Sequence, residues 1–184
     1  MKIISEKRDI YLEAIKTLRL SNKNMLIIER TSSLLLGPRK IWYEKKYHSL
    51  LMDWIYSLPD SDRSLIYLYN VVETKNEMFE RELRFEKILK VFEVLTKIKE
   101  SCKDRFYINH FKEPGNAAII GDKRFNIWIE TPDGKYISLN GNNERYAKYL
   151  YNSFKHHFLK LPYLTIEELI KELRPRVARQ SILD

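Results

Sequence analysis

FYINHFKEPGNAAIIGDKRFNIWIE, residues 106–130, is the stretch whose reading decides the fold. It begins with an apolar run of strand length, 105–111, and continues through Pro114 and Gly115 into a second run at 117–120. Gly121-Asp122 then makes a turn, and RFNIWIE at 124–130 reads as the returning strand of a hairpin. A further turn at Pro132-Asp133-Gly134 leads to another strand at 135–139. The stretch also holds a His-any-Lys triplet, His110-Phe-Lys112, and ends on a carboxylate, Glu130.

Working outward, the chain before this stretch alternates helix and strand. Residues 5–20 place Ile10, Ala14, Ile15 and Leu18 at helical spacing, and NMLIIE at 24–29 is a continuous apolar strand. Residues 42–56 return to helical periodicity through Tyr47, Leu50, Leu51, Trp54 and Ile55, and SLIYLY at 64–69 is a second buried strand. Residues 73–101 form the longest helical segment, with Phe85, Ile88, Leu89, Phe92, Leu95 and Ile98 as its apolar stripe. Residues 142–159 are helical again, and Thr165-Ile-Glu-Glu168 is a capping-box pattern opening a last short helix. Strands apolar on both faces and separated by helices imply crossovers. The expected fold is therefore α/β: a mainly parallel mixed sheet with helices on both faces and an antiparallel extension at one side. Residues 1–160 are expected to form one domain, and 161–184 a capped helix with a basic tail.

In such sheets ligands sit beyond the carboxyl ends of the parallel strands. The first strand delivers Glu29, Arg30, Thr31 and Ser32 there, the second Asn70 with Glu73 nearby, and the third Asn109, His110 and Lys112. A guanidinium, hydroxyls, an amide, an imidazole and an ammonium on one rim suit a phosphate or other small anion. The bland alternative is that these side chains only close strand ends against water. An imidazole can attack phosphorus or shuttle a proton, and Asn126 and Glu130 from the returning strand are its candidate supports.

Charge points the same way. A formal net charge of +8 favours polyanions, although abundant Lys and Glu also describe an ordinary solvated surface. The single cysteine, Cys102, excludes an intrachain disulfide, and His48, His110, His156 and His157 make no zinc-like spacing, so no metal and no cofactor is expected. No segment reads as a signal peptide or a membrane span, and the expectation is a cytoplasmic protein. Trp42, Trp54, Trp128, Tyr146, Tyr149 and Tyr151 could stack on bases, but their spacing fits packing, and most are read as core.

His110-Phe-Lys112 and the strand-turn-strand AAIIGDKRFNIWIE, followed by a Tyr- and Phe-rich helix, resemble the single-repeat, nuclease-like domain of the phospholipase D superfamily over residues 5–159. The family motif is His-any-Lys, four residues, Asp, six residues and Gly-Ser, and two copies meet across a pseudo-twofold or a dimer interface. One histidine attacks the phosphodiester while the other protonates the leaving group. With His110-Phe-Lys112 as the motif, the Asp position falls on Ala117 and Gly-Ser on Arg124-Phe125. With Asp122 as the Asp, His and Lys become Gly115 and Ala117, and Gly-Ser becomes Ile129-Glu130. Neither register supplies a complete site.

The departure resembles degenerate members of the superfamily, such as the effector-sensing domains of archaeal sugar-responsive regulators, although no winged helix-turn-helix is present here. The resemblance thus implies a non-catalytic homodimeric domain that recognises an anionic ligand or nucleic acid. The alternative enzyme is a metal-independent nuclease or phosphodiesterase using His110 and Lys112 with Asn126 and Glu130. A third reading is an interaction protein that meets its partner through Arg174, Arg176 and Arg179.

Overall fold

The computed structural model describes residues 2–30, 32–37, 40–70, 85–111, 117–133, 135–160, 165, 168, 169 and 171; the side chains of 85–87, 89 and 111 are outside that description. Thr31, Glu73, Lys112, Arg174, Arg176, Arg179 and the start of the helix read at 73–101 therefore lie outside the described residues. The elements run β1 (Lys2–Ile4), α1 (Lys7–Leu20), β2 (Asn24–Glu29), α2 (Ser33–Leu36), α3 (Trp42–Tyr56), β3 (Ser64–Asn70) and α4 (Phe85–Cys102). They continue with β4 (Phe106–Phe111), β5 (Ala118–Gly121), β6 (Phe125–Glu130), β7 (Tyr136–Gly141) and α5 (Glu144–Phe158).

The strands form one mixed sheet in the order β1-β7-β6-β5-β2-β3-β4. The α/β class holds, but the sheet is mostly antiparallel, which corrects the expectation of a mainly parallel one. Only β2–β3 and β3–β4 pair in parallel; β2–β5, β5–β6, β6–β7 and β1–β7 are antiparallel. The reason is connectivity. Helical crossovers link β2 to β3 and β3 to β4, whereas β5, β6 and β7 follow one another by tight turns, which reverse the chain. The three-residue β1 was not read from the sequence because it is too short to show alternation.

β2 lies inside the sheet between β5 and β3, and its two-sided apolar character follows from that place. Met25 and Ile27 join Leu65, Tyr67, Phe106, Ile108 and Ile119 in a core roofed by α1, α2, α3 and α4. Leu26 and Ile28 join Ile66, Leu68, Ala118, Ile120 and Phe125 beneath α5. Each such aliphatic side chain contributes about 1.5–3 kcal/mol by leaving water. Leu169 is buried in the first core, and beside it Thr165 and Glu168 exchange the two capping-box hydrogen bonds at 2.7 and 3.2 Å. Among the described residues no helix is long and apolar enough to cross a membrane.

The Gly121-Asp122 turn joins the two halves. The Asp122 carboxylate accepts from the backbone N–H groups of Asn22, Lys23 and Asn24 at 2.7, 2.6 and 2.9 Å, which pins the entry to β2 against the hairpin. Gly121 lies so close to the buried Ser21 hydroxyl that an added Cβ would fall 1.6 Å from Oγ and 2.8 Å from Cβ. Gly121→Ala is therefore expected to cost about 1–3 kcal/mol in chemical denaturation. Ser21→Ala in the same chain should recover part of the loss, whereas a neutral Gly121→Ala would refute the contact.

A candidate ligand cleft at the end of strand β2

β2 ends on Glu29, whose carboxylate is drawn into the core instead of facing water. Ser33 donates to it through its backbone N–H at 2.7 Å and its hydroxyl at 2.9 Å, Tyr47 of α3 donates at 2.8 Å, and the Tyr67 hydroxyl of β3 makes a further short bond. Ser32 caps α2 by accepting from the Leu35 N–H at 3.3 Å and lies 3.1 Å from the Tyr67 hydroxyl. α2 then stops at Gly37, whose φ of +72° lies in the region open to glycine. Burial lifts the Glu29 pKa above the ordinary carboxylic range, and the donors from Tyr67, Ser33 and Tyr47 partly offset it.

Above Glu29 opens a cavity of about 650 Å³ between α1, α3 and the ends of β6 and β7. Aromatic rings wall it. Tyr11 stands 5.4 Å from Trp128 and 5.7 Å from Tyr47 between ring centroids, and Tyr136 also lines the cavity, with the Arg30 guanidinium 5.7 Å from its ring. The charges around it are matched internally: Arg30 pairs with Glu130 and also reaches the Tyr136 hydroxyl, Lys7 pairs with Glu44 at 2.8 Å, and Lys135 with Asp133 at 2.9 Å. The Trp128 indole N–H is buried with no acceptor among the described residues.

The sequence-derived candidates divide between two places. Glu29, Arg30 and Ser32 line the cleft, and Glu130 at the end of β6, on the far side of β5, holds Arg30. His110 and Asn70 do not line it. His110 is fully buried, its Nε2 2.7 Å from the Tyr69 hydroxyl and its ring edge-on to Tyr69 at 3.9 Å and to Phe92 at 6.4 Å. Its Nδ1 is buried without a partner among the described residues, and burial pushes its pKa down to about 3. Asn126 is also spent on structure: it donates to the Ile10 carbonyl at 2.9 Å and accepts from Ser138, which in turn receives Asn140 at 2.9 Å.

Sequence reasoning passed over Tyr11 and Tyr136, and it weighed Trp128 as a stacking residue but grouped it with the core aromatics. Trp128 sits two residues beyond Asn126, and Tyr136 two before Ser138, so both lie on the α1-facing side of the sheet. The signal was the polar alternation of β6 and β7, in which Asn126, Ser138 and Asn140 mark a sheet face too polar for pure core.

No family model matches the chain, and no curated protein matches it in sequence. Among solved structures it is similar to TrmBL2, described as an archaeal chromatin protein whose structure shows a novel mode of DNA binding. The TM-score is 0.52 at 9% identity, over 89% of this chain and 53% of that one. The likeness is one of fold. This chain spans about half the length of TrmBL2.

Two outcomes test this geometry. In an NMR pH titration the His110 ring should keep the shifts of a neutral imidazole from pH 8 down to about pH 4, since its folded pKa is about 3; a midpoint near 6.5 would contradict its burial. Because the folded state holds the Glu29 proton more tightly than the unfolded chain, Glu29 contributes most below the ordinary carboxyl pKa of 4.5 and loses that contribution as pH rises through the higher folded value. Wild type should therefore lose stability relative to Glu29→Gln as pH rises from 4.5 in denaturation measurements. A pH-independent difference would contradict it.

Proposed function

We propose that the chain is a non-catalytic, phospholipase D-like binding domain with a nucleic-acid-associated role, in which the cleft above Glu29 holds a small uncharged ligand. The observation that carries this reading is the contrast between a sealed His110 and an open aromatic cleft. A nucleophilic histidine must reach substrate and exchange protons, whereas this imidazole is enclosed by Tyr69 and Phe92. Burial also removes the chemical reason for bringing two such histidines together across a twofold axis.

The cleft favours a ring-bearing, uncharged ligand because each cation around it already has a carboxylate partner. A sugar or nucleoside face fits against Tyr11, Trp128 and Tyr136, with a ring oxygen or hydroxyl accepting from the Trp128 N–H. The fold likeness to a DNA-binding chromatin protein and the net charge of +8 support the nucleic-acid setting.

A thermal-shift screen of nucleosides, monosaccharides and disaccharides tests the reading. At least one class should raise the melting temperature of wild type and fail to raise that of Trp128→Ala or Tyr136→Ala. At a ligand concentration of 100 times Kd the gain is about 2.7 kcal/mol. Two results would refute the reading: cleavage of a model phosphodiester that His110→Ala abolishes, or stabilisation by inorganic phosphate alone that Arg30→Ala abolishes.

A further inference from the structure

The other side of the sheet carries a surface of different character. α5 packs Ala147 and Tyr151 into the second core, with Leu150, Phe154 and Phe158 beside them. Its remaining faces are turned to solvent, where Arg145, Lys148, Asn152, Lys155 and His156 follow one another at intervals of three and four residues or lie directly beside that stripe. Tyr146 and Tyr149 stand out from the same helix at 64% and 68% exposure. This departs from the expectation that most of the aromatic residues pack in the core.

Two features distinguish this face from an ordinary solvated helix. Arg145, Lys148 and Lys155 form no ion pair among the described residues, in contrast to the matched cations of the cleft. Through residues 144–160 the only acidic side chain is Glu144, placed in the first turn where it complements the helix dipole. The two phenol rings, three residues apart on the helix, gain little from packing where they stand in water among cations that have no acidic partner in the described residues. The pairing of exposed rings with unmatched positive charge is what a polyanion with accessible flat bases requires.

We infer that the outward face of α5 is a contact surface for single-stranded nucleic acid. Tyr146 and Tyr149 stack on unpaired bases, and Arg145, Lys148 and Lys155 lie along the phosphates. A duplex hides its base faces within the stack and cannot use the two rings in this way, which decides between the strand forms. The surface is separate from the cleft, because α5 and the α1–α3 roof cover opposite faces of the sheet. The inference rests on the nucleic-acid setting proposed above but not on the cleft ligand.

Fluorescence anisotropy with labelled oligothymidylate, oligouridylate and a mixed-sequence duplex tests it on the full chain. Single strands of at least one sugar type should bind more tightly than the duplex. Tyr146→Ala with Tyr149→Ala should weaken single-strand binding about tenfold or more, while the corresponding Phe pair stays near wild type. Replacing Arg145, Lys148 and Lys155 by Ala should flatten the slope of log affinity against log salt by about 2. The inference is overturned if the duplex is preferred, if the Ala and Phe pairs behave alike, or if no oligonucleotide binds; loss of self-association in the Tyr variants by light scattering would then assign the face to a second copy of the chain. Circular dichroism checks that the exposed substitutions leave the fold intact. An unchanged thermal shift by the cleft ligand in the same variants separates failure of this surface from failure of the cleft.

Discussion

The buried Glu29 carboxylate is the interaction on which the rest of the site depends. A carboxylate withdrawn from water is costly unless donors replace its hydration, and here they come from three directions: Ser33 in α2, Tyr47 in α3 and Tyr67 in β3. Satisfying one side chain therefore fixes where the chain goes after β2, how α3 sits over the sheet, and which way the neighbouring strand points its phenol. The cleft is the space left above that knot, with Tyr47 shared between the carboxylate and the aromatic wall.

The same sheet explains why the His110 imidazole is out of reach. His110 is level with Tyr69 in the β3–β4 register and shares its face, so it points beneath α4 and packs against Phe92. Burial there favours the neutral ring, and Tyr69 occupies Nε2. The polar residues of the hairpin are similarly committed, Asn126 to the α1 backbone and Glu130 to Arg30. The strand-turn-strand around Gly121-Asp122 thus gives each of these polar groups a structural task.

Much of the fold was legible because its signals are local. The two-sided apolar runs of β2 and β3, the stripes of α1 and α3, and the Thr165–Glu168 box each declare themselves within a few residues. Sheet direction was not legible, since it turns on β5 lying against β2 some ninety residues away, a pairing that no local periodicity encodes. The site was legible in part: Glu29, Arg30 and Ser32 were found by strand-end reasoning. Tyr11 and Tyr136 were not, and Trp128 was grouped with the core, because an aromatic residue at packing intervals looks the same in sequence whether its ring meets a core or a cavity. Tyr146 and Tyr149 show the converse, since helical spacing alone does not say which stripe faces inward.

The proposed recognition role depends on the His110 imidazole being sealed from solvent. Native-state modification by diethyl pyrocarbonate, read by mass spectrometry at each histidine, tests it directly, with the exposed His156 and His157 as internal references. The expected result is full labelling of the two reference residues with His110 left unmodified until the protein is unfolded. Labelling of His110 in the folded protein at a rate matching the references would contradict the account.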